Sequence, residues 1–287
     1  MRRRAGQLMT AGASGVVTSA MRSDLTQALH SATLTGVQRG VAPTRSLRAG
    51  HRVFRAVPAD KPYTHAYGAA TIPPNSSTST GNRFSGARAD ESQGHGALYV
   101  GSSNAMMAEI YHYYTAGIQS PYALQTIANG GSNIDQAFFD KRVFEFQLRP
   151  SVEVLDIARM PDFLLQDAEL RKLTQECGVS VESLLADDDH IFARSVSHEV
   201  FDASAGLGGV AARTVRHGKW HHLTDRSFDG DNVALFGADG QVLHRTLEPV
   251  RMWSVSDIVH GRAAVTYRDM RPGDLLESLN RSGVRDA

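Results

Sequence analysis

The sequence has almost no cysteine. Cys177 stands alone among 287 residues, so neither an intramolecular disulfide nor a cysteine-built metal site can form. That fits a chain that works in a reducing compartment. Net charge is also missing, since Lys+Arg and Asp+Glu both total 30. A dedicated nucleic-acid binder needs excess cationic charge on one face, so the balance argues against one while leaving room for basic clusters at a site. No run of 18 apolar residues occurs, so no membrane-spanning helix is expected. The chain opens Met1-Arg2-Arg3-Arg4, but the stretch to Met21 is too polar for a signal-peptide core. The expected location is the cytoplasm, or a target cytoplasm reached as a secreted effector.

Phosphate-binding and metal motifs are lacking too. There is no P-loop and no GxGxxG. Gly206-Leu207-Gly208-Gly209 is glycine-rich without opening a strand-turn-helix unit. His217, His221 and His222 crowd around Trp220, yet no His-Glu-x-x-His or His-x-His spacing appears. Asp187-Asp188-Asp189-His190 lacks the alternating ligands and the glycine of a calcium loop. No metal is expected.

What is present is a hydrophobic content of 41%, enough for a real core. Residues 1–45, rich in Ala, Gly, Ser and Thr, are expected to be a partly disordered N-terminal extension with one short helix around Ser23 to Ser31. Residues 46–287 are expected to form one α+β domain with insertions. Strands are expected at 51–58, 97–100, 143–148 (half-buried), 152–157, 232–237 and 250–255. Between them lie a turn-rich stretch from Pro62 to Gly96 and a second from Gly117 to Asp135. A helix is expected at about 104–116, with Ser103 as its cap, and mainly helical pattern over 161–205. Strands at both ends with helices between them indicate α+β rather than regular βαβ repeats.

Four polar residues gather in the ordered middle: Arg55 on a strand, Arg83 in a glycine-flanked loop, Tyr99 on the next strand, and Glu109 on the helix after it. The pieces follow an order. Phe54-Arg55 comes first, then Gly81-Asn82-Arg83-Phe84-Ser85-Gly86, then Ala97-Leu98-Tyr99-Val100-Gly101-Ser102-Ser103 with Ala108-Glu109. Later come Phe144-Glu145-Phe146 to Val154-Leu155-Asp156, and Ser227 ahead of Asn232-Val233-Ala234-Leu235-Phe236. This series resembles the RES-domain family of NAD-cleaving toxins over roughly residues 50–240. Phe84 stands where the family has tryptophan, and the loop before Arg83 is longer than usual.

The resemblance implies an ADP-ribosyltransferase-like fold, with small central β-sheets flanked by helices. It also implies NAD as substrate, with hydrolytic or phosphorolytic cleavage of the nicotinamide–ribose bond and no metal. The implied partner is a helical antitoxin or immunity protein that covers the site; no nucleic acid and no membrane are implied.

Nicotinamide leaves as a neutral molecule, so the reaction needs no strong general acid. An oxocarbenium-like transition state needs a facing carboxylate, and Glu109 is the candidate. Arg55 and Arg83 are candidates for the pyrophosphate, which favours bidentate guanidinium donors. Tyr99 is the candidate for stacking, and Ser227 or Thr214 for a late hydroxyl. Two other readings compete. Arg55 with Ser76-Ser77-Thr78-Ser79 fits a protein-directed ADP-ribosyltransferase, but no Glu-x-Glu or Gln-x-Glu is present. The third is a non-catalytic nucleotide-binding or interaction module.

Overall fold

The computed structural model describes residues 19–58, 66–79, 82–86, 94–103, 105–106, 141–185, 190–203, 206–213, 231–254 and 265–266. The fold is mixed α+β. Among the described residues, nine strands form one sheet in the order β1-β5-β6-β7-β3-β2-β4-β8-β9. They are β1 (Thr44–Leu47), β2 (Arg52–Pro58), β3 (Gly96–Gly101), β4 (Lys141–Leu148), β5 (Val152–Asp156), β6 (Gly209–Arg213), β7 (Asp231–Gly237), β8 (Leu247–Ser254) and β9 (Val265–Thr266). Only the β5–β6 pair is parallel.

Side chains alternate across the sheet with period two. On one face, Ala97 of β3, Leu155 of β5, Val210 and Ala212 of β6 and Ala234 of β7 meet the helices. On the other, Leu98 and Val100 of β3, Val154 of β5, Ala211 of β6 and Val233 and Leu235 of β7 join Val53, Val57, Phe144 and Phe146. The helical layer comprises α1 (Ser19–Gln38), α3 (Met160–Leu164), α4 (Ala168–Cys177), α5 (Val181–Leu185) and α6 (Ile191–Asp202); the short α2 (Ala66–Ala69) lies elsewhere.

Helix α1 departs from the expectation of a loosely ordered extension. It runs for 20 residues rather than the nine of Ser23 to Ser31. Leu25 and Leu29 are wholly buried and belong to the same core as the sheet. A domain boundary drawn after residue 45 would cut through β1. Close packing explains the glycine of this helix. A Cβ on Gly36 would lie 2.2 Å from Cζ of Phe163.

Strand β4 also departs, because it is buried on both faces rather than half-buried. Phe144 and Phe146 fill one side, while Val143 and Glu145 are covered on the other. The Glu145 carboxylate accepts from Arg52 and lies 3.9 Å from Arg251, so the buried charge is compensated. Strands β1 and β6 were not expected as strands.

Candidate functional site

Arg83 and Tyr99 are brought together. The Phe84 backbone N–H donates to the Tyr99 hydroxyl at 2.7 Å, and Ser85 Oγ lies 3.5 Å from the same oxygen. From the opposite side, α6 holds the loop. Ser197 Oγ donates to the Phe84 carbonyl at 2.8 Å, and His198 Nε2 donates to the Gly86 carbonyl at 2.6 Å. Gly86 sits at φ +99, and a Cβ there would collide with the Ser79 carbonyl oxygen at 1.7 Å. The loop therefore requires glycine at this point. With residues 84–86 fixed, the Arg83 guanidinium lies 5.1 Å from the centroid of the Phe84 ring. It donates through Nε to the Leu185 carbonyl at 3.0 Å, and Nη2 donates to the same oxygen. Among the described residues, these bonds use Nε and Nη2 and not Nη1.

Burial sets the ionisation of both groups. Desolvation lowers the Arg83 pKa from its ordinary value, and the neighbouring Tyr99 pulls it back up. Desolvation raises Tyr99 above its ordinary 10.0, opposed by its bonds to Ser85 and Phe84 and by the charges of Arg83 and Arg194. The folded state thus keeps the Tyr99 proton at a pH where the unfolded chain begins to lose it. The resulting stabilisation is complete below the unfolded value of about 10 and is lost as pH rises through the higher folded one.

Tyr99 was expected to stack on the substrate; in the structure its hydroxyl organises the arginine loop. Tyr99→Phe keeps the ring but leaves a buried N–H without its acceptor, an expected cost of about 1–3 kcal/mol. Urea melts should show that deficit at neutral pH and a shrinking gap to the wild type above about pH 10. Equal stabilities at pH 7 would rule out this role.

Arg55 lies on the other face of the sheet. Phe54 pairs with Gly101 of β3, and Gly101 shares its face with Tyr99 by alternation. Arg55 therefore shares the opposite face with Val53 and Val57, whose side chains join the Leu98–Val100 core. Its Nη1 donates to the carbonyls of Ala69 at 2.8 Å and Thr71 at 3.1 Å. The Ser76–Ser79 tract is structural at its start. Ser76 Oγ donates to the Ala97 carbonyl and accepts from the Ala97 N–H, at 3.3 and 3.1 Å. Ser77 donates to Asp239 through both N–H and Oγ, at 2.9 and 2.6 Å.

Arg83 borders a cleft of about 640 Å³. It opens where the carboxyl ends of β5 and β6 meet the start of β7 and the edge strand β1. Its charged lining combines Arg45, Arg83 and Arg159 with Asp156, Glu182 and Asp231. Two of the acids are already engaged. Asp231 Oδ2 is 2.5 Å from Arg45 Nη1, and Asp156 Oδ1 accepts from the Ala158 N–H at 3.2 Å. Arg45 and Arg159 were not among the expected site residues. Thr44-Arg45-Ser46-Leu47 is too short to display a period, and Arg159 sits in the single 3₁₀ turn Ile157–Arg159.

Glu109, Ser227 and Thr214 lie outside the described residues. Described residues that flank these stretches meet at Asp231, which lines the cleft. Ser102, which opens the helical segment ahead of Glu109, donates its N–H to the Asp231 carbonyl at 2.9 Å and accepts from the Asp231 N–H through Oγ at 3.2 Å. Residues 214–230 leave from Arg213 and return at Asp231, which are register partners.

Among the described residues, no group of three or more His, Cys, Asp or Glu is placed to hold a metal ion, and no helix is long and apolar enough to cross a membrane. No protein-family model matches this chain, and comparisons with curated proteins and with solved structures find no match.

Proposed function

We propose that this chain binds NAD in the 640 Å³ cleft and cleaves its nicotinamide–ribose bond, on a sheet of ADP-ribosyltransferase-like type. The observation that carries this reading is the partition of charge in the cleft. With Arg45 and Asp231 paired to each other, the charged lining that remains among the described residues is Arg83 and Arg159 as cations and Asp156 and Glu182 as anions. NAD matches that mixture, with an anionic pyrophosphate and a cationic nicotinamide ring. The volume falls within the usual range for small-molecule sites.

In this reading Arg83 holds the pyrophosphate with its remaining guanidinium donors. Glu109 faces the ribose as positive charge develops at the anomeric carbon. The C–N bond breaks, nicotinamide departs with the electron pair, and an oxygen of water or phosphate bonds to the same carbon. Ser227 or Thr214 orients a hydroxyl or the carboxamide. Toxin or effector action fits the reading, and the partner it implies is a helical antitoxin or immunity protein laid over the cleft.

Product analysis tests the proposal. The purified chain is incubated with NAD, with and without phosphate. The expected result is one nicotinamide per NAD consumed, accompanied by ADP-ribose or its phosphate ester. NAD left intact in both conditions would end this reading. Labelled ADP-ribose appearing on protein would favour the transferase alternative.

A further inference from the structure

A second cavity, of about 390 Å³, lies behind the Arg45–Asp231 pair. Both cavities are lined by these two residues, so the ion pair is the wall between them. The larger cleft borders the helical face through Ile157 and Ala212, whereas the smaller cavity is lined by Val53 and Val233 of the other face.

The polar lining of this second cavity is dominated by donors. Arg48 and His51 occupy the two ends of the turn between β1 and β2, closed by a 3.0 Å bond from the His51 N–H to the Arg48 carbonyl. Arg45 Nε is buried with no hydrogen-bond partner among the described residues. Such an atom is a donor in search of an acceptor. Ser102 Oγ accepts from the N–H groups of Ala105 and Asp231, at 3.1 and 3.2 Å, so its own hydrogen is left to donate. The one acid, Asp231, is neutralised by Arg45.

From this arrangement we infer that the smaller cavity is a site for a phosphate-class oxyanion. A tetrahedral oxyanion accepts at every oxygen and can take bonds from Arg45 Nε, Arg48, His51 and Ser102 together. The cavity extends past these donors to Leu47, Val53 and Val233, which gives room for the apolar body of an organic monoester. The site is separate from the proposed NAD cleft and does not depend on that reading.

Calorimetric titration of the full chain with inorganic phosphate, and separately with phenyl phosphate, tests the inference. Both anions are expected to bind the wild type. Tighter binding of phenyl phosphate would assign the site to monoesters, and equal binding to free phosphate. Arg48 and His51 are exposed, so R48A/H51A should melt like the wild type without anion, yet bind at least about tenfold more weakly. The milder Arg48→Gln should weaken binding with no change in melting. Arg83→Ala, which alters only the other cavity, should leave the affinity in place. The inference is overturned if neither anion binds, or if binding is lost in Arg83→Ala and kept in R48A/H51A. NAD turnover, measured separately, reports on the cleft alone.

Discussion

Replacing Arg83 with alanine is expected to lower NAD turnover by about 10²–10³-fold, the usual consequence of removing one preorganised donor from a charge-stabilising site. The guanidinium is fixed before any ligand arrives, by the Leu185 carbonyl and the Phe84 ring. The loop beneath it is fixed in turn by Tyr99, Ser197 and His198. Arg83→Lys keeps the charge but cannot bond Leu185 and a phosphate with one planar fork, so it should recover only part of the loss. Glu109→Ala should cause a loss of the same order, with unchanged melting.

Arg55→Ala is the informative contrast. Arg55 spends its Nη1 on the Ala69 and Thr71 carbonyls on the other face, so its replacement should lower stability while turnover per folded molecule stays within a few-fold. Steady-state kinetics with thermal melts of each variant separate the two effects. Abolished cleavage in Arg55→Ala beside a fully active Arg83→Ala would place the chemistry elsewhere.

The second large effect is on stability. Leu29 of α1 is wholly buried in the core cluster to which α4 and α6 also contribute, and α1 packs on both helices. Leu29→Ala is expected to cost about 2–5 kcal/mol, since the transfer energy and the cavity left behind add together. In a chain of this size that is a fall of roughly 3–8 °C in Tm. Removing residues 1–38 should leave a chain that does not fold, because α4 and α6 would face water with an apolar surface. A truncated chain with native melting would show that α1 is an appendage after all.

Short apolar runs bounded by turn residues made most strands legible. Val143–Leu148 and Asn232–Gly237 carry enough β-branched and aromatic residues to stand out. Helix α1 was hard to read because its buried face is built from Ala28, Ala32, Thr33 and Gly36 as well as leucines, a composition shared with loosely ordered segments. Strand β6 was obscured in the same way, by Gly-Val-Ala-Ala. At the site, the closeness of Arg83 to Tyr99 could be anticipated from the order of motifs. The side of the sheet on which Arg55 falls could not. It depends on the register between β2 and β3, and a shift of one residue would move every side chain to the other face. Arg45 escaped notice because its partner, Asp231, is 186 positions away, and no local pattern reports such a pair.

That separation has a bearing on biosynthesis. The wall between the two cavities is made from one of the first strands and one of the last. Loop closure over such a span comes late in folding. A ribosome-bound chain would carry Arg45 for most of its synthesis with no cleft to line. Neither cavity exists until Asp231 has left the exit tunnel and β7 has entered the sheet, so ligand binding can serve as a readout of completed folding.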